Sequence, residues 1–172
     1  MEVEIKAKCN DLNSVKRQLI KLKTGPAGTK RQLDQYYNLP HKDLRGTKTY
    51  VRLRKIGSKG IFALHENLNI GTTKETEVEV DNVKEFEKIL EGLGLTKLGL
   101  IDKKREKFIL GEFEVCLDKV KGIGSFVEIE TQGNTKNWKQ KRMKCIELLK
   151  KLGLNENSLT NLFLCDIATK KV

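Results

Sequence analysis

Apolar and charged residues alternate with a period of two in short runs along most of the chain. At the N-terminus Glu2, Glu4 and Lys6 alternate with Val3, Ile5 and Ala7, and far downstream Glu128 and Glu130 alternate with Val127 and Ile129. Basic residues follow the same rhythm in Arg52-Leu53-Arg54 and Lys103-Lys104-Arg105. Residues i and i+2 of a strand point to one side, so each run presents charges on one face and apolar side chains on the other. The pattern predicts strands over 2–8, 33–38, 50–56, 61–67, 75–80, 100–110, 112–118 and 125–131. Gly57 to Gly60 reads as a tight turn, Gly122 and Gly124 as a bend, and the stretch around Gly25, Pro26 and Gly28 as a loop.

Helical spacing interrupts this rhythm three times. Leu12, Val15, Leu19 and Leu22 predict a helix over 12–22 with Asp11 as its cap, and Val83, Phe86, Ile89, Leu90 and Leu93 predict another over 83–93. The order of acidic alternating strand, Asp and helix thus occurs at 2–22 and again at 75–93, a weak internal repeat that suggests a pseudo-symmetric domain. A third helix is expected over 136–152 and a short helix or strand near 158–168. Together these elements predict one α+β domain spanning 1–172, with the motif-bearing strands mainly in 1–131 and a helical C-terminal extension over 136–172. An open sheet would leave the charged face in solvent, whereas a closed antiparallel barrel would gather it into a polar interior. The alternation alone leaves both open.

Composition narrows the partners. The 172 residues carry 34 basic against 23 acidic side chains, a formal net charge of +11 that favours an anionic partner without identifying it. Aromatic content is 6% and no aromatic ladder stands beside the basic positions, which argues against nucleic acid. Cys9, Cys116, Cys145 and Cys165 form no CxxC pair and have no histidine close by, so free thiols in a reducing cytoplasm are expected. Acidic residues in the first four positions argue against a signal peptide, and no apolar run approaches a membrane span.

Glu2, Glu4, Glu128 and Glu130 are candidate ligands for Mg²⁺ or Mn²⁺, which favour hard oxygen donors, although a solvated strand face would show the same pattern. Glu77 is a further candidate, with Glu75 or Glu79 replacing it if the strand is shifted. Asp118 follows the alternation of Glu112, Glu114 and Cys116 toward the same face. Lys6, Arg52, Arg54, Lys103 and Arg105 are candidate phosphate donors, arginine offering a planar fork and lysine a compact mobile charge. Asp34 positions a metal-bound water or another clamp residue, or is a strand-end or loop charge. Lys107 is expected at the rim and Lys104 outside.

The run Met1-Glu-Val-Glu-Ile-Lys-Ala-Lys8 resembles the ExExK signature of the CYTH superfamily, the group of class IV adenylate cyclases and thiamine triphosphatases. Gln32 to Pro40, Arg52-Leu-Arg54, Lys103-Lys-Arg105 and Val120 to Glu130 follow in the family's order and spacing. The resemblance is nearest to the class IV cyclase branch, through Tyr37 to Asp43 and the Gly-Ile-Gly-Ser-Phe-Val-Glu-Ile-Glu run. It implies a triphosphate tunnel: an eight-stranded antiparallel barrel with helices packed outside, whose polar lumen binds a triphosphate with Mg²⁺ or Mn²⁺. The chain departs from the family at His65, near the place of a usual lysine. It departs again at Thr73-Lys74, where an arginine usually leads into the middle acidic strand, and at Thr49, where an acidic residue is usual. His65 and Lys74 therefore join the substrate-binding candidates as substitutes.

What the resemblance implies for activity is a metal-dependent cyclase converting ATP to cyclic AMP and pyrophosphate, with Lys6, Arg52, Arg54 and Asp34 in the reacting centre. Hydrolysis of an inorganic or organic triphosphate, thiamine triphosphate included, is the alternative, and non-catalytic triphosphate binding a third. The expected partner is ATP or another triphosphate compound, with no nucleic acid or membrane, and a homodimer is compatible with the chain.

Overall fold

The computed structural model describes residues 1–45, 47–69 and 71–160. Its strands are β1 (Glu2–Lys8), β2 (Pro26–Asn38), β3 (Thr49–Ile56), β4 (Lys59–Asn69), β5 (Thr72–Val80), β6 (Thr96–Leu110), β7 (Phe113–Val120) and β8 (Gly124–Gln132). The helices are α1 (Leu12–Lys21), α2 (Val83–Gly92) and α3 (Trp138–Lys151). The eight strands close into an antiparallel barrel in the order β1-β5-β4-β3-β2-β6-β7-β8. The closed form is the barrel expected above, with both strand edges paired off.

The chain organises into two compact units. One comprises Met1–Lys30, Asn69–Thr73 and Lys103 to the end of the described chain; the other comprises Arg31–Leu68 and Lys74–Asp102. In the first, β1 pairs with β8 from Glu2↔Gln132 to Lys8↔Phe126, β8 pairs with β7, and β7 pairs with β6. The odd-numbered residues Ile5, Ala7, Val127, Ile129, Val115 and Leu117 face one way and pack with Leu19 of α1 and Ile146 and Leu149 of α3. Burying one such aliphatic side chain contributes about 1.5–3 kcal/mol, and truncating one to alanine costs about 2–5 kcal/mol once the residual cavity is included. In the second unit β2, β3 and β4 form a meander, and Tyr37, Val51 and Leu53 pack with Val80 and with Leu90 of α2.

The internal repeat has a partial structural counterpart, since Asp11 caps the first helix whereas Asn82, not Asp81, caps the second. Asp11 accepts from the Ser14 amide at 3.1 Å, and Asn82 accepts from the Glu85 amide at 3.2 Å. Each side chain satisfies a backbone donor that the first helical turn leaves unpaired. Both helices follow an acidic strand, β1 and β5.

Two expectations differ from the structure, and a third falls largely outside the described residues. The stretch expected as a loop around Pro26 is the start of β2, since proline is tolerated as the first residue of a strand. Ile89 and Leu93, assigned above to the apolar face of α2, are 55% and 64% exposed, so the buried stripe of that helix is narrower than its apolar pattern. Of the element expected near 158–168, only a short 3-10 turn at Glu156–Ser158 and the bridge Ala7↔Leu159 fall within the described residues; the remainder lies outside them.

Candidate active site

Register assembles the charges of the first unit. Lys6 stands opposite Glu128 and Glu128 opposite Cys116, while Glu4 stands opposite Glu130 and Glu130 opposite Glu114. Arg105 stands opposite Asp118. Cross-strand partners share a face, so one polar surface runs across β1, β8, β7 and β6, back to back with the apolar core.

Contacts on that surface are dense. Lys6 Nζ lies 3.0 Å from Glu128 Oε1 and 3.6 Å from Glu4 Oε1. Arg105 donates from Nε and Nη2 to Asp118 Oδ1 and Oδ2 at 2.8 and 2.6 Å, and Nη2 also contacts Glu128. Lys103 Nζ is 3.3 Å from Asp118 Oδ2. The alternation of β7 groups Asp118 with the metal-ligand candidates, and in the structure its contacts are to Arg105 and Lys103. Wholly buried, with both oxygens engaged by Arg105, it fixes the guanidinium plane.

The carboxylates divide electrostatically. Burial pushes Glu128 upward, but Arg105, Lys6 and Lys103 override it and hold the group well below the ordinary carboxylate range. Glu4 is raised, first by burial and then by Glu128, against the opposing pull of Lys6. Glu130 is raised to about 8, by burial and then by repulsion from Glu2, Glu114 and Glu4. Glu4 and Glu130 are the carboxylates crowded beyond the reach of the local cations, and a divalent ion is what would neutralise them. Lys107 sits half exposed against Glu114 at 2.5 Å, Lys104 is exposed, and Glu112 pairs with Lys141 and Lys144. Lys107 and Lys104 lie at the rim and outside as the alternation predicts, whereas Glu112, which shares the parity of Asp118, pairs with α3 instead.

The second unit carries its own charged face. Asp34 is wholly buried and accepts from Arg54 Nε and Nη2 at 2.7 and 2.9 Å. Of the alternatives expected for Asp34, this contact matches the positioning of a neighbouring clamp residue. Arg52 Nη2 lies 3.2 Å from Glu77 Oε1, while its buried Nε has no hydrogen-bond partner among the described residues. A buried guanidinium donor left unpaired is costly, which fits an anionic ligand.

His65 is completely buried and stacks on Tyr50, with ring centroids 4.3 Å apart and planes at 11°. Its Nδ1 lies 2.6 Å from Glu75 Oε1. Burial lowers its pKa to about 4 despite the opposing influence of Glu75, so the ring is neutral near pH 7. Burial raises Glu75, but His65 and the arginines pull it below its ordinary value. His65 consequently carries no standing charge to replace the lysine that the resemblance implies.

Lys74, expected as a further phosphate donor, lies on the face opposite Glu75 and Glu77. It is exposed and pairs with Glu66 at 3.3 Å, because one residue of strand phase reverses the side. An aromatic row does stand beside Arg52, contrary to the sequence reading: Tyr36 meets Tyr50 edge-on at 5.7 Å, and Tyr50 meets His65. Tyr36 and His65 are buried, so the row packs the interior of the unit. Tyr50 and the role of Glu114 escape the sequence reading; the signal available for Glu114 is its parity with Asp118. Cys9, Cys116 and Cys145 are free and buried, and Cys165 lies outside the described residues. No helix among the described residues is long and apolar enough to cross a membrane.

Comparison with known proteins agrees with this geometry. The CYTH domain family matches residues 1–163. A protein of Methanocaldococcus jannaschii, provisionally named an adenylate cyclase, is 31% identical over 164 residues, covering 92% of this chain and 93% of its own. A solved structure from Pyrococcus horikoshii OT3 superposes with a TM-score of 0.86 at 25% identity, covering 96% of this chain and 98% of its own. A Hippeastrum protein, provisionally named an adenylyl cyclase and described as having a dominant triphosphatase activity, shares the fold. Its TM-score is 0.61 at 19% identity, over 90% of this chain and 89% of its own. On sequence, barrel topology and charged faces together, the chain belongs to the CYTH domain family.

Proposed function

We propose that this protein is a metal-dependent adenylate cyclase, converting ATP to cyclic AMP and pyrophosphate. The observation that carries the reading is the setting of Lys6, Lys103 and Arg105 among Glu4, Glu128 and Glu130 on one face of the first unit. A divalent cation held by Glu2, Glu4, Glu128 and Glu130, Mg²⁺ or Mn²⁺ by the hardness of the donors, supplies charge neutralisation and Lewis acidity. Lys6, Lys103 and Arg105 offer donors to phosphate oxygens, with Asp118 holding Arg105 in plane so that little is lost in ordering it. In the second unit Arg52 offers its unpaired Nε, and Asp34 holds Arg54 in the same way. In the reaction the ribose 3′-oxygen bonds to the α-phosphorus as its proton leaves. The bond from the α-phosphorus to the bridging oxygen breaks, and pyrophosphate departs with the electron pair. Donors on the β- and γ-phosphates stabilise charge growing on that leaving group.

Hydrolysis of a triphosphate is the second reading. It is favoured by a donor set made of phosphate-type contacts, which serve attack at either the α- or the γ-phosphorus. Incubation with ATP and Mg²⁺ or Mn²⁺, followed by separation of nucleotides, decides between them. Cyclic AMP with equimolar pyrophosphate is expected; ADP with phosphate would move the chemistry to the γ-position, and unchanged ATP would leave only binding.

A further inference from the structure

His65 does not stand alone. His65, Glu75 and Glu77 each bring one donor atom to within 4.8 Å of the others. Two acidic side chains on one strand would be ordinary by themselves. What sets this group apart is His65: it is completely buried, yet its Nε2 has no hydrogen-bond partner among the described residues. Its Nδ1 lies 2.6 Å from Glu75 Oε1, a contact that opposes the effect of burial on the ring. Buried polar atoms are normally satisfied, and a neutral imidazole with one nitrogen facing a carboxylate and the other unpaired can take a cation.

We propose that His65, Glu75 and Glu77 form a transition-metal site, distinct from the carboxylate set of the first unit and selective for imidazole-binding cations such as Zn²⁺ or Co²⁺ over Mg²⁺. Local structure supports the assignment. Tyr50 stacks on the ring and fixes its plane, and the β3–β4 register holds Tyr50 opposite His65. Glu75 and Glu77 are two apart on β5 and so share a face. Metal–nitrogen and metal–oxygen bonds of about 2.0–2.2 Å place donors on one ion about 3–4.4 Å apart, so modest side-chain rotation closes the observed spread. Two carboxylates and a neutral imidazole supply the donors for a divalent ion, which would compete with Arg52 and Arg54 for the carboxylate charge. Arg52, now 3.2 Å from Glu77, would share that carboxylate with the metal or turn to other anions.

The donor set predicts the selectivity. Imidazole suits zinc, copper, iron and nickel, whereas Mg²⁺ keeps to oxygen and dehydrates reluctantly. A lysine in this place would present a cation and no ligand. This inference stands apart from the cyclase reading, because it requires neither ATP nor turnover.

The test uses the full chain, freed of metal by chelation and titrated with Co²⁺ in the presence of millimolar Mg²⁺. Visible absorption of the bound Co²⁺ should report one nitrogen-containing site that Zn²⁺ displaces and Mg²⁺ does not. Glu77→Gln, at a part-exposed position, should lower Co²⁺ affinity at least tenfold. His65→Gln should abolish the spectrum, and Glu130→Gln should leave it. Crystals soaked in Zn²⁺ give a second readout without substitution: an anomalous peak bounded by His65, Glu75 and Glu77 is expected. Zinc confined to the carboxylates of the first unit, or a Co²⁺ spectrum that survives both His65→Gln and Glu77→Gln, would overturn the proposal.

Discussion

Glu130→Gln should stabilise the metal-free protein at alkaline pH while weakening its hold on divalent metal. The carboxyl of Glu130 is lifted from an ordinary 4.5 to about 8 by burial and by Glu2, Glu114 and Glu4. The folded state therefore binds this proton more tightly than the unfolded chain does. The resulting stabilisation is complete below pH 4.5 and is lost as pH rises toward and through about 8. Each tenfold change in proton affinity is worth about 1.4 kcal/mol, so an isolated group would lose about 5 kcal/mol across the window. Neighbouring carboxylates share the repulsion and solvent screens part of it, which leaves about 2–3 kcal/mol as the expected effect. Glutamine keeps the size and removes the charge. Urea unfolding in the presence of a chelator, for both proteins at pH 5 and pH 9, measures the double difference. The variant should gain about 2–3 kcal/mol relative to wild type on going from pH 5 to pH 9. Added Mg²⁺ should erase much of the difference by stabilising wild type more. A variant that gains nothing at pH 9 would refute the crowding argument, and with it the fit of this cluster to a metal.

Other consequences are simpler to check. Asp34→Asn and Asp118→Asn each break a buried pair with an arginine and should lower stability by about 3–5 kcal/mol, read by denaturant unfolding. Glu4→Gln should greatly weaken metal-dependent turnover in a folded chain, as circular dichroism and metal titration together would show. Glu112→Gln should leave turnover unchanged, because Glu112 pairs with Lys141 and Lys144. Lys74→Ala should not change the affinity for tripolyphosphate, measured by calorimetry, since Lys74 lies on the face opposite Glu75.

Strand phase is the most legible feature of this sequence, because a buried face forces strict alternation. Alternation alone puts Lys6, Glu128, Glu130, Lys103 and Arg105 on one side and Lys104 on the other. It fails where neither face is buried. The first residues of β2 are exposed, so they carry no apolar rhythm, and Pro26 and Gly28 dominate their appearance. Ile89 and Leu93 mislead in the opposite sense, as apolar residues at helical spacing that remain in solvent.

Partners are far less legible than faces. A turn of four residues, Gly57 to Gly60, would pair Ile56 with Ile61, whereas the structure pairs Ile56 with Lys59. The two-residue slip preserves every face but changes every partner, and the observed register sets Tyr50 against His65. The bidentate contacts of Asp34 with Arg54 and Asp118 with Arg105 join residues 20 and 13 positions apart. Nothing in either local pattern reveals that these two carboxylates are engaged by arginines; only the cross-strand register does. Likewise, no sequence signal marks His65 as neutral; that follows from its complete burial.

The most direct test of the central claim is calorimetric titration of Arg52→Ala, Arg54→Ala and Arg105→Ala with ATP and with tripolyphosphate, both in Mg²⁺. Removing one charge-assisted contact is worth about 1.5–3 kcal/mol, or roughly ten- to a hundred-fold in affinity. Since the proposed contacts are to phosphate, each variant should lose affinity for both ligands by similar factors. Variants that bind tripolyphosphate normally and lose only ATP would mean that the arginines read the nucleoside, contradicting the proposed phosphate clamp.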